Sequence, residues 1–324
     1  MKVTSRTYKI NSQIVKGLLR RQASAQSVKT FHVNDFAIED SVIKDLAQTY
    51  TNLPYDYYDV AYKAEMLVRE VEAEFDERFS KDWSLFLRNT HRDTLPLQSI
   101  YTFWQNHITH IPTLDAIMQL VPFRKRSCFE YLLTPYLDTL GRFNYNWQVE
   151  EVGAAVFSQQ VSDLRDRTRF FKSPEKSVFR NKHLIQLMCN IATYALSTGF
   201  FQFLHYKHIK ATMHQMLTYA GNSPAPEGIH QDGADFIVSA IVVDKKNCTG
   251  GISQIFYNKP QAQLNDKHRT PAELILQKTL NVGEGIFQVD VPMNYWHDVT
   301  PIKAIDTNKE AYRAILGFDF KVIG

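Results

Sequence analysis

The feature that most constrains this chain is a histidine and an aspartate separated by one residue, His230 and Asp232, with Gly228 and Gly233 beside them. In an extended segment, alternate residues point to the same face of the backbone, so both side chains can approach one point in space. A glycine-containing turn whose polar side chains cap it would explain the same residues. The pair alone therefore leaves a metal site and a capped turn as alternatives.

Two later residues favour the metal site. His297 precedes Thr300-Pro301 and lies between two strand-like runs, and Arg313 opens the last strand-like run. Two histidines and one carboxylate form the facial triad of non-haem Fe(II) oxygenases, which leaves coordination positions open. Arginine can hold a carboxylate through two hydrogen bonds and stays charged, although a surface ion pair would be its more ordinary role. We predict that His230, Asp232 and His297 bind one metal ion and that Arg313 binds an acidic co-substrate.

Three segments around these residues resemble one known family. They are Pro224-Ala225-Pro226-Glu227-Gly228-Ile229-His230-Gln231-Asp232-Gly233-Ala234-Asp235-Phe236, Asn247-Cys248-Thr249-Gly250-Gly251-Ile252-Ser253 and Trp296-His297-Asp298-Val299-Thr300-Pro301-Ile302. In this order they are similar to the 2-oxoglutarate/Fe(II) dioxygenases of the bacterial isoleucine-dioxygenase type, which hydroxylate free amino acids. The resemblance covers roughly residues 205–320, and its motifs are specific in combination.

The resemblance implies a 2-oxoglutarate-dependent dioxygenase (hydroxylase) that acts on a free amino acid or small amino-acid derivative at an unactivated carbon. It implies Fe(II), 2-oxoglutarate as co-substrate and O2, with Arg313 on the far carboxylate of 2-oxoglutarate. Many related oxygenases carry Arg-x-Ser at this place, whereas this chain has Arg313-Ala314-Ile315, so a serine contact to the co-substrate is not expected.

Candidate substrate contacts are Gln231, Asp235 and Trp296. Asp235 could pair with a substrate ammonium group or could cap the turn after Gly233, and the residues alone leave these equal. Packing is the more ordinary role for Trp296. The polar segment of residues 259–271 could form a lid over the site.

Two other functions fit the same pattern. One keeps the chemistry but acts on a peptidyl or carrier-bound residue, with the helical half of the chain as a docking surface. The other is a jelly-roll metal-binding protein without oxygenase activity. Succinate formation under oxygen separates the oxygenases from the second alternative, and a comparison of free amino acids with peptides separates the two oxygenases.

Composition restricts the classes of partner that this chain is expected to bind. The net charge of +3 is too small to indicate nucleic-acid binding, and no apolar run reaches the ~20 residues that span a bilayer. Three widely spaced cysteines form no disulfide framework, so we expect a cytoplasmic protein with a small-molecule partner, no nucleic acid and no membrane; the oligomeric state is not predicted. The first 34 residues contain no Asp or Glu. They could form a mitochondrial transit peptide, but we favour a basic first helix that leads into a strand near Phe31-His32-Val33.

Hydrophobic periodicity predicts an α+β fold. The predicted helices begin at Asp40 or Ser41 and at Asp59, and continue at Leu97–Trp104, Leu114–Val121, Phe129–Leu140 and Asn181–Leu196. The basic cluster Phe123-Arg124-Lys125-Arg126 is interpreted as a solvated helix start. Short strands are predicted at Val152–Phe157, Phe200–Tyr219, Phe236–Val243, Ile252–Tyr257, Leu274–Leu280, Ile286–Val291 and Ala311–Phe320.

These runs predict one catalytic domain over residues 1–324. Residues of about 1–199 form a mainly helical support region, and residues of about 200–324 form a double-stranded β-helix (jelly-roll) core with the metal site.

Overall fold

The computed structural model describes residues 5–9, 26–71, 77–89, 97–137, 143–157, 169–198, 208–226, 228–258 and 273–324. The predicted basic first helix and the predicted lid of residues 259–271 lie outside these ranges. The strand predicted near Phe31 is confirmed as Val28–His32.

An eight-stranded antiparallel sheet forms the centre of the fold. In spatial order its strands are β1 (Ser5–Lys9), β4 (Phe143–Ala154), β3 (Arg124–Leu137), β7 (His208–Tyr219), β15 (Tyr312–Ile323), β8 (Phe236–Lys246), β12 (Glu284–Val289) and β2 (Val28–His32). The long pairings of β15 with β7 and β8 bring the last strand of the chain to the middle of this sheet.

Smaller sheets complete the β structure. They are β11–β10–β13 (Glu273–Lys278, Ser253–Tyr257, Tyr295–Val299), β9–β14 (Cys248–Gly250, Ile302–Ala304) and β5–β6 (Val156–Phe157, Arg169–Phe170). Ile255 of β10 and Tyr295 of β13 share one buried cluster with Ala240, Ile286 and Ile315 of the large sheet. Two sheets facing each other across this cluster are the jelly-roll core, so the fold prediction is confirmed.

Seven α-helices are found in the described ranges. They are α1 (Asp40–Ala47), α2 (Tyr58–Val71), α3 (Glu77–Asn89), α4 (Leu97–His107), α5 (Ile111–Met118), α6 (Lys176–Phe179) and α7 (Lys182–Ser197). Helices α1 and α7 bury apolar side chains against the large sheet, while α2 to α5 form a second core around Trp83 and Trp104. Within these ranges, every helix is too short or too polar to cross a bilayer.

Strand β15 separates the two faces of the large sheet through its period-two alternation. Ala314, Leu316, Phe318 and Phe320 are buried in the core that contains α7. The alternate residues Arg313, Ile315, Gly317 and Asp319 line a cavity on the opposite face. One strand therefore supplies both the core of the fold and one wall of a site.

The helix predicted at Phe129–Leu140 is wrong, because residues 124–137 form β3 and residues 143–154 form β4. In β4, buried Trp147 and Val149 alternate with less buried neighbours, which is the period of a strand. Short apolar runs do not separate helix from strand by pattern alone. Pairing of β3 with β7, about 80 residues later, decided the outcome. The region before residue 199 therefore contributes strands to the sheet as well as helices.

The interpretation of residues 123–126 as a solvated helix start is also wrong. Arg124 is 5% exposed, and its Nη2 atom lies 2.5 Å from Asp59 Oδ1 and 3.1 Å from Asp56 Oδ2. Its Nη1 atom donates to the carbonyl oxygen of Pro224 at 2.7 Å. Arg124 thus joins the start of α2 to the segment that leads into His230.

Candidate metal centre and co-substrate cavity

The backbone brings His230 and His297 together. Each residue donates its N–H to the carbonyl oxygen of the other, at 2.9 and 2.8 Å, which forms an isolated antiparallel bridge. Residues directly opposite in such a pair carry their side chains on the same face. The two imidazole rings accordingly lie with centroids 4.2 Å apart, and both side chains are buried.

Asp232 completes the triad. Its Oδ1 atom lies 3.6 Å from His230 Nε2, and its Oδ2 atom lies 3.4 Å from His297 Nε2. Ligands bonded to one ion at about 2.0–2.2 Å stand about 3 Å apart when they are at right angles, so the observed spacing is close to that of a loaded site. Burial raises the pKa of Asp232, but His297 and His230 outweigh it and hold that pKa well below its ordinary value. The carboxylate is therefore ionised, as a metal ligand must be.

Each histidine has a contact on its other ring nitrogen. His230 Nδ1 lies 2.8 Å from the carbonyl oxygen of Gly228. A carbonyl oxygen can only accept, so Nδ1 carries a proton, and Nε2 is the ring nitrogen that faces Asp232 and remains for a metal. Outer contacts of this kind fix the tautomer that a metal requires.

His297 Nδ1 lies 3.4 Å from the side-chain amide of Gln288, which is fully buried in β12. The Gln288 Oε1 atom has no hydrogen-bond partner among the residues described. Rotation of the amide by half a turn brings Oε1 to Nδ1, where it can accept the ring proton. Sequence reasoning missed Gln288; the available signal was one amide inside the apolar strand Ile286-Phe287-Gln288-Val289.

Arg313 faces the same cavity as the triad. Its side chain is 5% exposed, and within the described ranges neither Nη1 nor Nη2 has a hydrogen-bond partner. Burial lowers the pKa of Arg313 to about 10. Gly251 leaves space for this side chain, since a Cβ atom there would lie 3.1 Å from Arg313 Cδ. An unpaired buried guanidinium is unfavourable unless an anion satisfies it. The position therefore fits the far carboxylate of a bound diacid.

A second charged group, missed by the sequence reasoning, lines the cavity. Arg126 Nη2 lies 2.9 Å from His214 Nδ1, and His214 Nε2 lies 2.6 Å from Asp319 Oδ2. The Sγ atom of Cys128 lies 3.3 Å from His214 Nδ1. These residues belong to β3, β7 and β15, so no local motif contains them. The cavity is partly open to solvent.

The predicted substrate contacts Gln231, Asp235 and Trp296 do not line this cavity. Gln231 donates to the Tyr295 carbonyl oxygen at 3.0 Å, and Asp235 accepts from the Val322 N–H at 2.6 Å. Trp296 donates to Asn294 Oδ1 at 3.0 Å. Asp235 does not cap the turn after Gly233, because the N–H groups of Gly233 and Ala234 donate to Asp290 Oδ2 instead.

Comparison with solved structures shows that the fold of this chain occurs in another protein. A bsmA homolog from Methylobium petroleophilum PM1 matches with a TM-score of 0.54 and 13% identity, over 94% of this chain and 92% of that chain. At that identity the likeness concerns the fold alone. No curated protein matches the sequence.

Two further structures match with TM-scores below 0.5. The structure named IDO from Bacillus thuringiensis has a TM-score of 0.45 and 19% identity, over 62% of this chain and 79% of that chain. The Fe(II)/(alpha)ketoglutarate-dependent dioxygenase TqaL has a TM-score of 0.43 and 16% identity, over 82% and 88%.

The sequence itself identifies the family. The family model described as 2OG-Fe dioxygenase matches residues 115–319, which is more than half of the chain. The matched range contains the triad, Arg313 and the three residues of the second charged group, Arg126, His214 and Asp319. Fe(II), 2-oxoglutarate and O2 are therefore the metal and co-substrates of this enzyme, and the chain belongs to the 2OG-Fe dioxygenase family.

Proposed function

We propose that the protein hydroxylates a free amino acid, or a small derivative of one, as in the isoleucine-dioxygenase type of this family. In this proposal His230, Asp232 and His297 hold Fe(II), and Arg313 binds the far carboxylate of 2-oxoglutarate. The observation that carries it is the buried guanidinium of Arg313, whose Nη atoms have no hydrogen-bond partner among the described residues, in the same cavity as the His-Asp-His triad.

The reaction follows from the family. When Fe(II) is bound, O2 oxidises 2-oxoglutarate to succinate and carbon dioxide, and the second oxygen atom enters a C–H bond of the substrate. The chain's own residues bind and orient the metal and 2-oxoglutarate. The histidines present their Nε2 lone pairs, Asp232 supplies a negative charge, and Arg313 fixes one end of the diacid by a fork of two hydrogen bonds.

A small substrate is favoured by the lining of the cavity. Charged side chains line it at Arg313 and again at Asp319. Pockets of small-molecule enzymes have a few such convergent polar groups. A peptidyl or carrier-bound substrate is the competing outcome, in which only the reacting side chain would enter.

The test uses purified protein with Fe(II), 2-oxoglutarate and oxygen. Each proteinogenic amino acid, and pipecolate, is added separately, and product and succinate are followed by mass spectrometry. We expect one amino acid to give a product heavier by one oxygen atom, with succinate formed in equal amount. Succinate released only when a peptide or carrier-bound residue is added would refute the free-amino-acid assignment.

A further inference from the structure

The cavity contains charges beyond those that the metal and 2-oxoglutarate need. Arg126, His214 and Asp319 line it together with the triad and Arg313. Arg126 is held with its guanidinium 4.6 Å from the ring centre of Phe171, and Asp319 is held by His214 at 2.6 Å. One carboxylate and one guanidinium thus stand on either side of a single imidazole.

Strand register explains why these side chains meet. Gly317 of β15 pairs with His214 of β7, and His214 pairs with Cys128 of β3. Arg126 and Asp319 lie two residues from Cys128 and Gly317, on the same face of the two strands that flank β7. Gly317 contributes no side chain, and a Cβ atom there would lie 3.7 Å from His214 Cβ and 3.3 Å from the Val238 carbonyl oxygen.

This group is separate from the co-substrate end of the cavity. Asp319 follows Arg313 by six positions on β15, and at about 3.3 Å per residue their backbones are about 20 Å apart. A single 2-oxoglutarate that is held by Arg313 and the triad therefore does not use the second group. Buried charges are unfavourable unless they are paired, and in this partly open cavity Arg126 and Asp319 both contact His214.

The second group matches the two charges of an amino acid. Asp319 is 20% exposed at its side chain, and within the residues described its Oδ1 atom makes no hydrogen bond, so it can accept from an ammonium group. The guanidinium of Arg126 has the geometry to donate to a carboxylate. One anion and one cation at neighbouring positions suit a zwitterion, whereas a peptidyl residue carries neither charge at its backbone.

We infer that Arg126 and Asp319 form the substrate subsite, in which Arg126 binds the α-carboxylate and Asp319 binds the α-ammonium group of a free amino acid. This inference rests on the proposed function and names the part of the cavity that selects the substrate. Asp319 thus replaces Asp235 as the candidate partner of the ammonium group, because Asp235 accepts a hydrogen bond from the Val322 N–H.

His214 links the two charges of this subsite. A guanidinium can only donate, so in the 2.9 Å contact His214 Nδ1 accepts from Arg126 Nη2, and His214 Nε2 then donates to Asp319 Oδ2 at 2.6 Å. The imidazole therefore holds the guanidinium and the carboxylate in place.

The experiment measures binding, so that it does not depend on turnover. Protein loaded anaerobically with Fe(II) and 2-oxoglutarate is titrated calorimetrically with the proteinogenic amino acids. The tightest-binding one is then compared with its N-acetyl derivative, which lacks the ammonium charge, and its carboxamide, which lacks the carboxylate. We expect each derivative to bind at least about tenfold more weakly than the free amino acid.

Variants then assign each charge to a residue. Arg126→Met should weaken binding of the free amino acid at least about tenfold and abolish the preference over the carboxamide, with Arg126→Lys intermediate. Asp319→Asn should abolish the preference over the N-acetyl derivative. Lys246→Met is the matched control, because Lys246 is exposed on an ion pair with Glu310 outside the cavity, and it should leave all three affinities unchanged.

The outcomes distinguish a failure of the proposed subsite from a failure of the proposed function. Equal losses for all three ligands in the Arg126 and Asp319 variants, as a purely structural role would give, overturn the subsite. Derivatives that bind the unaltered protein as well as the free amino acid overturn it too, even if a variant does not fold. Absence of amino-acid binding, with iron and 2-oxoglutarate bound normally, overturns the subsite and the substrate class. Failure to bind Fe(II) or 2-oxoglutarate counts against the metal and co-substrate assignments instead.

Discussion

Replacement of Arg313 by methionine should weaken 2-oxoglutarate binding and, in the absence of 2-oxoglutarate, stabilise the folded protein. The side chain is 5% exposed and its Nη atoms have no partner within the described ranges. Burial lowers the pKa of Arg313 from an ordinary 12.5 to about 10, which corresponds to a cost of about 3 kcal/mol for holding the charge in the cavity. Methionine fills similar space without that charge, so the apo variant should gain up to about 3 kcal/mol in free energy of unfolding.

The same substitution removes the partner of a carboxylate. Loss of one side of a buried, hydrogen-bonded charge pair costs about 2–5 kcal/mol, which raises the dissociation constant of 2-oxoglutarate about 30- to 5,000-fold. Arg313→Lys keeps the charge but loses the two-pronged geometry, so we expect an increase of about tenfold. A variant that is more stable in the apo state but binds 2-oxoglutarate more weakly is what we expect when the replaced residue is preorganised for binding.

The measurements are urea unfolding of the metal-free protein and anaerobic calorimetry with Fe(II) and 2-oxoglutarate. Lys246→Met is the control, because it removes an exposed charge from the same sheet and should change neither quantity by more than a few tenths of a kcal/mol. An Arg313→Met protein that binds 2-oxoglutarate within about threefold of the unaltered affinity would refute the assignment. An apo variant that is less stable by more than about 1 kcal/mol would refute the argument from burial.

Three further predictions concern the surroundings of the site. His297→Ala should remain folded but lose its bound iron, measured as metal per chain after gel filtration; normal stoichiometry contradicts its assignment as a ligand. Gln288→Leu should lower iron affinity about 10- to 100-fold by removing the acceptor for the His297 ring proton, whereas Gln254→Leu on an exposed part of β10 should not; equal affinities in the two variants would remove Gln288 from the site. Arg124→Met should lower the free energy of unfolding by about 3–5 kcal/mol in urea denaturation, because Asp56 and Asp59 lose their buried cation; a loss below about 1 kcal/mol would show that this ion pair does not hold α2 to the sheet.

The triad could be predicted because its geometry is largely local. His230 and Asp232 are two residues apart in an extended segment, and this spacing alone points both side chains to one face. The chemistry of two imidazoles and a carboxylate then restricts the kind of ion. His297 was predictable as the third member because it lies between two strand-like runs, which can place it beside His230 and Asp232. The jelly-roll strands after residue 208 were predictable for a similar reason. The alternation of apolar and polar residues lies within each strand, and turn residues lie at its ends.

The region between residues 124 and 154 could not be predicted in this way. Phe129, Leu132 and Leu133 are spaced as on one side of a helix, and short apolar runs lack a period that would exclude this reading. Partners on β7 and α7 decided that they form a strand, and those partners are distant in the sequence. Contacts of that kind override local propensity.

The sequence by itself determined the candidate His-Asp-His triad and the position of Arg313 at the start of the last strand, because residue type and short spacing are sufficient for both. Only the tertiary structure decided that Arg313 is buried without a partner in the described residues, and that Arg126, His214 and Asp319 meet in one cavity. Those three residues come from three strands, and their meeting depends on the register between strands. Register is fixed by hydrogen bonding and packing across the whole sheet, so no single segment of the chain contains that information.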